Sequence, residues 1–236
     1  DGIVTVVDGK HIQEYLSEKK QDVMINEALK QVAIADRLII NKKDLLKDNE
    51  IEQLKEDLAS INSVADVVVT ERSKIDVNYV LDIKAYDISN ADALVKQTDK
   101  IKEHGSTHAH QLSHDVQTIC IQFNQQLDSL EPLENWIQEL LWEKKISGTN
   151  DDADPVTVLR LKGILYPPKD STNADKKSRL VIQGVQDLYD IQPGMAGDDI
   201  KEDDTSSKIV LIGKNLDKQK ISESFTNSLS VAHQIL

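Results

Sequence analysis

One cysteine, Cys120, occurs among the 236 residues, so no disulfide can form within the chain, and a reducing compartment suits it. Positive charge is also in deficit: 28 Lys and Arg stand against 41 Asp and Glu, a formal charge of −13. That imbalance disfavours a general binder of nucleic acid or of anionic membranes. No apolar run approaches the ~18–20 residues of a membrane-spanning helix, and no charged-then-apolar signal segment opens the sequence. The expected location is the cytoplasm, or else the nucleus. Methionine is missing from the first position, and Asp1-Gly2 runs almost at once into an apolar strand, as expected of a fragment of something longer. Internal repeats are missing too.

What is present is organised around Leu38 to Leu46, a short apolar run that breaks into Asn41, Lys42 and Asp44. Ile3 to Val7 and Leu38 to Ile40 are apolar without alternation, the pattern of strands covered on both faces in a parallel α/β sheet. Between them Val23, Ile25, Ala28, Leu29, Val32, Ala33 and Ala35 fall near helical spacing. A second amphipathic helix follows through Ile51, Leu54, Leu58 and Ile61, then a third strand over Val64 to Thr70, then a helix over Ile75 to Ile83. Ligands of open α/β sheets bind at the carboxyl ends of the strands, so Asn41 to Asp44 and Thr70, Glu71 and Arg72 should share one rim. An Asp carboxylate there can accept from both the N1–H and the exocyclic amine of guanine, a donor pair that adenine lacks. Guanine is therefore the favoured ligand of Asn41, Lys42 and Asp44, with Thr70 and Glu71 as a second wall. A strand followed by a solvated turn is the alternative for the first group, and an ordinary strand-to-helix loop for the second.

The composition then shifts. Residues 1–86 form one α/β unit, residues 87–116 a polar linker, and residues 117–236 a second, α+β unit. Four of the six histidines, His104, His108, His110 and His114, fall in the linker. Imidazole suits Zn²⁺, but their spacing fits no closed zinc signature, and a linker that gathers His by chance is the competing reading. In the second unit Ile119, Ile121 and Phe123 define one face of a half-buried strand, with Cys120 opposite beside Thr118 and Gln122. Leu133, Trp136, Ile137, Leu140 and Leu141 mark an amphipathic helix, and Trp136 and Trp142 are expected as core anchors. Strands over Val156 to Leu165, Arg179 to Tyr189 and Lys208 to Gly213, then a helix through Ile221, Phe225 and Leu229, complete a sandwich with its helices on one face. The acidic run Asp198 to Asp204 is expected as a solvated loop.

Taken together, Asp1-Gly2-Ile3-Val4-Thr5-Val6-Val7-Asp8, Asn26-Glu27-Ala28 with Gln31, and Ala35-Asp36-Arg37-Leu38-Ile39-Ile40-Asn41-Lys42-Lys43-Asp44 resemble the CobW-type GTPases, which are nucleotide-dependent metal chaperones. Arg160-Leu161-Lys162-Gly163, Val181-Ile182-Gln183-Gly184-Val185 and Val210-Leu211-Ile212-Gly213-Lys214-Asn215-Leu216-Asp217 are similar to the carboxyl-terminal domain of that family. The combination most resembles its eukaryotic branch of zinc-regulated GTPase metalloprotein activators. The resemblance implies a P-loop G domain followed by a smaller α+β domain. It also implies binding and slow hydrolysis of GTP with Mg²⁺, coupled to delivery of zinc to a client metalloenzyme, for this branch a methionine aminopeptidase. Asp44 would take the base edge, Lys42 would lie along the base or ribose face, and Asn41 would brace the loop. A His-rich tract like that of His104 to His114 would hold zinc loosely before transfer.

Three family features are missing from this chain: the Gly-rich phosphate loop with its Lys and Ser/Thr, the Cys-x-Cys-Cys motif, and the Glu-containing switch segment. All are expected upstream of Asp1. Phosphoryl transfer needs backbone amides, a lysine and Mg²⁺ around the phosphates, so this polypeptide alone is expected to be inactive as a GTPase. Half a G domain would also leave sheet edges and core faces uncovered. The alternative is a fragment without enzymatic role that recognises a client, or acts as a scaffold, through its second domain.

Overall fold

In the computed structural model the described residues are 2–17, 26–85, 116–148, 154–171, 179–193 and 206–235. Three parallel strands, β1 (Val4–Asp8), β2 (Arg37–Asn41) and β3 (Asp66–Val69), form a sheet in the order β1-β2-β3. Helices α1 (Ile12–Ser17), α2 (Glu27–Ile34) and α3 (Asp48–Ile61) connect them. Val7, Leu38 and Ile40 share a core with Leu29, Val32 and Ala33 of α2 and Leu54, Leu58 and Ile61 of α3. On the other side of the sheet Val6 is 59% exposed. The Asn26 side chain caps α2 by accepting from the Ala28 and Leu29 amides. At the far end, buried Asn62 donates to the carbonyls of Val32, Ala33 and Ala35 and accepts from the amides of Val64 and Ala65. Its removal would strand orphan carbonyls at the helix end, a cost of about 1–3 kcal/mol for each group left buried and unpaired.

Two features of this half differ from the sequence reading. Helix α1 has too short a pattern to show in the sequence, and Val23 and Ile25 lie outside the described residues. The expected helix over Ile75 to Ile83 is a single 3₁₀ turn, Val77–Tyr79, with Val77 and Leu81 exposed. Left-handed backbone at Asp82 and Lys84 ends any helical run there. The Tyr79 hydroxyl instead donates to the Asp66 carbonyl at 2.9 Å, and the Arg37 guanidinium lies 4.9 Å over its ring.

The second half is an antiparallel sheet of six strands in the order β7-β6-β5-β8-β4-β9. Its strands are β4 (Val116–Phe123), β5 (Thr157–Leu165), β6 (Leu180–Val185), β7 (Leu188–Pro193), β8 (Ser207–Lys214) and β9 (His233–Ile235). The single strand expected over Arg179 to Tyr189 is thus a hairpin, turning at Gln186-Asp187 with Gln186 left-handed. Helices α4 (Glu131–Gln138), continued by a π turn Glu139–Glu143, and α5 (Lys218–Leu229) cover one face. Trp136 meets Phe225 edge-on at 5.1 Å and donates to the Ser224 hydroxyl, which satisfies its buried indole N–H. Trp142 corrects the expectation of a second core anchor: it is 56% exposed and donates to the Asp187 carbonyl.

The opposite face of this sheet is not solvated. Val116, Cys120, Leu159, Val210 and Ile212 pack into the same core as α2 and α3, and the Thr118 hydroxyl donates to the Ile61 carbonyl. The sheet therefore has helices on both faces, and β4, expected to be half-buried, is covered on both sides. A register shift between Val158 and Arg160 lets Leu159 and Arg160 both face the first domain. Gly213 accommodates it, because a Cβ there would collide with the Thr157 carbonyl. At this interface Asp36 receives Arg160 at 2.8 Å and Lys162 at 2.5 Å through one oxygen, and the Ile3 amide at 2.9 Å through the other. Burial alone would raise the Asp36 carboxyl, but Lys162 and then Arg160 outweigh it and hold it below the usual carboxylate range.

Candidate functional site

The register of the parallel sheet sets Asp8 beside Asn41 and Ile40 beside Val69, so the loops after β1, β2 and β3 leave from one rim. The first two loops are in backbone contact. The Gly9 amide donates to the Asn41 carbonyl at 3.1 Å, and a Cβ on Gly9 would lie 2.8 Å from that oxygen, so the approach requires glycine.

Asn41 joins the second loop to the third. Its Nδ2 donates to the Ser73 hydroxyl and its Oδ1 accepts from the Ser73 amide, both at 3.0 Å. Arg72 and Ser73 are both left-handed, which turns the Ser73 amide toward β2. Below this bond the Thr70 amide donates to the Ile40 carbonyl, and the Lys43 amide donates to the Thr70 carbonyl. The Thr70 hydroxyl is buried and donates to the Lys74 carbonyl at 2.6 Å, so it braces its own loop. Glu71 is exposed beside Arg72.

Lys42 adopts φ 65°, in the left-handed region, and its Nζ reaches Asp8 Oδ2 at 2.8 Å. That carboxylate also meets His11 Nδ1 at 3.1 Å and accepts the Lys10 amide at 3.0 Å. Hydrogen bonding by Lys42, chiefly, holds the Asp8 carboxyl well below the usual carboxylate range, and the same bond raises the Lys42 ammonium. Asp44 stands in an exposed 3₁₀ turn, Lys43–Leu45, with no hydrogen-bond partner among the described residues. The rim thus holds an unengaged carboxylate, an ammonium fixed at both ends of its side chain, and an amide with one N–H and one lone pair to spare. Sequence reasoning assigned no contact to Asp8 and no place to Ser73. The signal available for Asp8 was an acid and a glycine directly after an unbroken apolar strand.

His104, His108, His110 and His114 lie outside the described residues. Among the described residues no group of three or more His, Cys, Asp or Glu side chains is placed to hold a metal ion.

Residues 1–69 match the model of the CobW/HypB/UreG nucleotide-binding domain, and residues 116–229 match that of the cobalamin synthesis protein cobW C-terminal domain. Zinc-regulated GTPase metalloprotein activator 1 of Saccharomyces cerevisiae is 31% identical over 248 residues, covering 97% of this chain and 55% of the yeast protein. Its namesake in Schizosaccharomyces pombe is 27% identical over 233 residues, covering 92% of this chain and 53% of that protein. The chain spans about half the length of the curated relatives it matches. The crystal structure of the Zn(II)-bound YjiA GTPase from E. coli shares the fold at a TM-score of 0.66 and 22% identity, over 96% of this chain and 60% of that one. With a nucleotide-binding sheet and a carboxyl-terminal domain that match the two family models in sequence order, the chain belongs to the CobW family.

Proposed function

We propose that the chain carries the guanine-reading half of the GTP site of a zinc metallochaperone, a protein that couples GTP binding and hydrolysis to transfer of zinc into a client metalloenzyme. The carrying observation is the Asp44 carboxylate, without a hydrogen-bond partner among the described residues, on a rim where Asn41 and Lys42 are both held in place. Asp44 accepts from the N1–H and exocyclic amine of guanine, and the Lys42 stem lies along the base. Asn41, already bound to Ser73, keeps the loop fixed, which lowers the ordering cost on binding. Mg²⁺ and the phosphates are handled by groups that this sequence does not contain, so the chain alone binds the base and does not hydrolyse GTP. Its client is a methionine aminopeptidase, its cargo zinc, and its compartment the cytoplasm.

Titration of the chain with nucleosides tests the base assignment. Guanosine should bind more tightly than inosine or adenosine, and Asp44→Asn should shift the preference toward xanthosine, whose C2 oxygen accepts from the new amide. Equal binding of guanosine and adenosine would overturn the reading, and phosphate release from GTP above the buffer rate would contradict the inactivity. A second role in client recognition is favoured by the turn of the β6–β7 hairpin, where Leu188 is 79% exposed next to the Trp142–Asp187 hydrogen bond. Leu188→Asp should weaken client capture and leave guanosine binding unchanged.

A further inference from the structure

We propose that Asp8 is a positioning residue of the base site, which holds Lys42 in place and keeps it from neutralising Asp44. The inference rests on the guanine reading above and adds to it the device that keeps the reading carboxylate open.

Lys42 has two carboxylates within its electrostatic reach, Asp8 and Asp44, and both act on its charge. It bonds only Asp8, at 2.8 Å, across the gap between the ends of β2 and β1. Asp8 is prepared for that bond. It ends β1 in register with Asn41, one oxygen accepts the Lys10 amide, and the oxygen that meets Lys42 also meets His11. An acceptor held by its own backbone turn keeps its direction, whereas Asp44 sits on an exposed short turn without a partner of its own among the described residues. With the backbone of Lys42 left-handed at one end and its ammonium tied at the other, the four-carbon stem is drawn out as an apolar strip on which a purine face can rest.

Loss of the Asp8 charge leaves the Lys42 ammonium with Asp44 as its remaining carboxylate on this rim. An ion pair there would occupy the oxygens that read the N1–H and the exocyclic amine. Asp8 then affects both affinity and base discrimination without touching the base itself.

The test is a nucleoside titration of the whole chain, followed by amide NMR, with Asp8→Asn, Lys42→Met and the double variant. Asp8→Asn should weaken guanosine by about tenfold, the scale of one charge-assisted hydrogen bond, and narrow its advantage over inosine. Asp8→Glu should restore most of both. The decisive result is the double variant: with the ammonium gone, D8N/K42M should regain the guanosine-over-inosine discrimination that D8N loses. The proposal is overturned if Asp8→Asn binds guanosine as the parent does, or if D8N/K42M discriminates no better than D8N. Failure of the guanine reading looks different, because the unsubstituted chain would then show no preference for guanosine, and the role of Asp8 would fall with it.

Discussion

Asp36 and Arg160, 124 positions apart in the sequence, meet as an ion pair at 2.8 Å with 4% and 2% of their side chains exposed. Lys162 approaches the same carboxylate oxygen, so one acid at the head of β2 is shared by two basic side chains from the other domain.

Breaking that group from one side should cost more than removing it. Asp36→Asn leaves two cations buried without their counter-charge, and about 3–5 kcal/mol of stability should be lost. The combination of Asp36→Leu, Arg160→Met and Lys162→Met should recover most of that loss. Urea denaturation of the three proteins measures both effects, and a triple variant less stable than Asp36→Asn would refute the account.

The same carboxylate gives stability a defined pH dependence. Its pKa in the folded chain is below its unfolded value of about 3.9, so the folded state holds this proton less tightly. The contribution is fully present above the unfolded value and is lost as pH falls through the folded one. Stability measured from pH 6 down to pH 3 should decline along an acid limb that Asp36→Asn flattens. An unchanged limb would count against Asp36 as its source.

Asn41→Ala removes both bonds to Ser73 at once. A loss of about 1–2 kcal/mol in stability is expected, with a fall in guanosine affinity larger than tenfold because two loops come apart together. Hydrogen exchange of the Ser73 amide, slow in the parent, should become fast. Slow exchange in the variant would show that the loops are held by other bonds.

Zinc offers a test of the histidine tract. If His104, His108, His110 and His114 hold the cargo, calorimetric titration should give weak zinc binding that disappears when all four become alanine. Equal binding by the two proteins would remove the tract from the transfer route.

Much of this molecule was legible because its signals are local. The break from Leu38-Ile39-Ile40 into Asn41 places a rim loop from one short stretch, and Ile51, Leu54, Leu58 and Ile61 mark α3 by spacing alone. Misreadings arose where a local pattern was overruled from a distance. Val77 and Leu81 have helical spacing, yet both are exposed, and Tyr79 is drawn away to Asp66. Arg179 to Tyr189 looked continuous because Gln186-Asp187 lacks the Asn or Gly that usually signals a tight hairpin. Arg160 and Lys162 look like the solvated side of a strand until Asp36 is set against them. Asp8 lacked an assignment for the same reason, since its partner Lys42 arrives from the next strand 34 positions on.

The core that contains Leu29, Val32 and Leu58 also contains Cys120, Leu159, Val210 and Ile212, so the second domain, beside the core under its own helices, shares the interior of the first. A boundary in sequence is here no boundary in cooperativity. Calorimetry should record a single melting transition, where independent domains would give two. A chain cut by protease between residues 86 and 115 should stay together through gel filtration as a tight pair of fragments, because cleavage there removes a covalent link and leaves the shared interior intact.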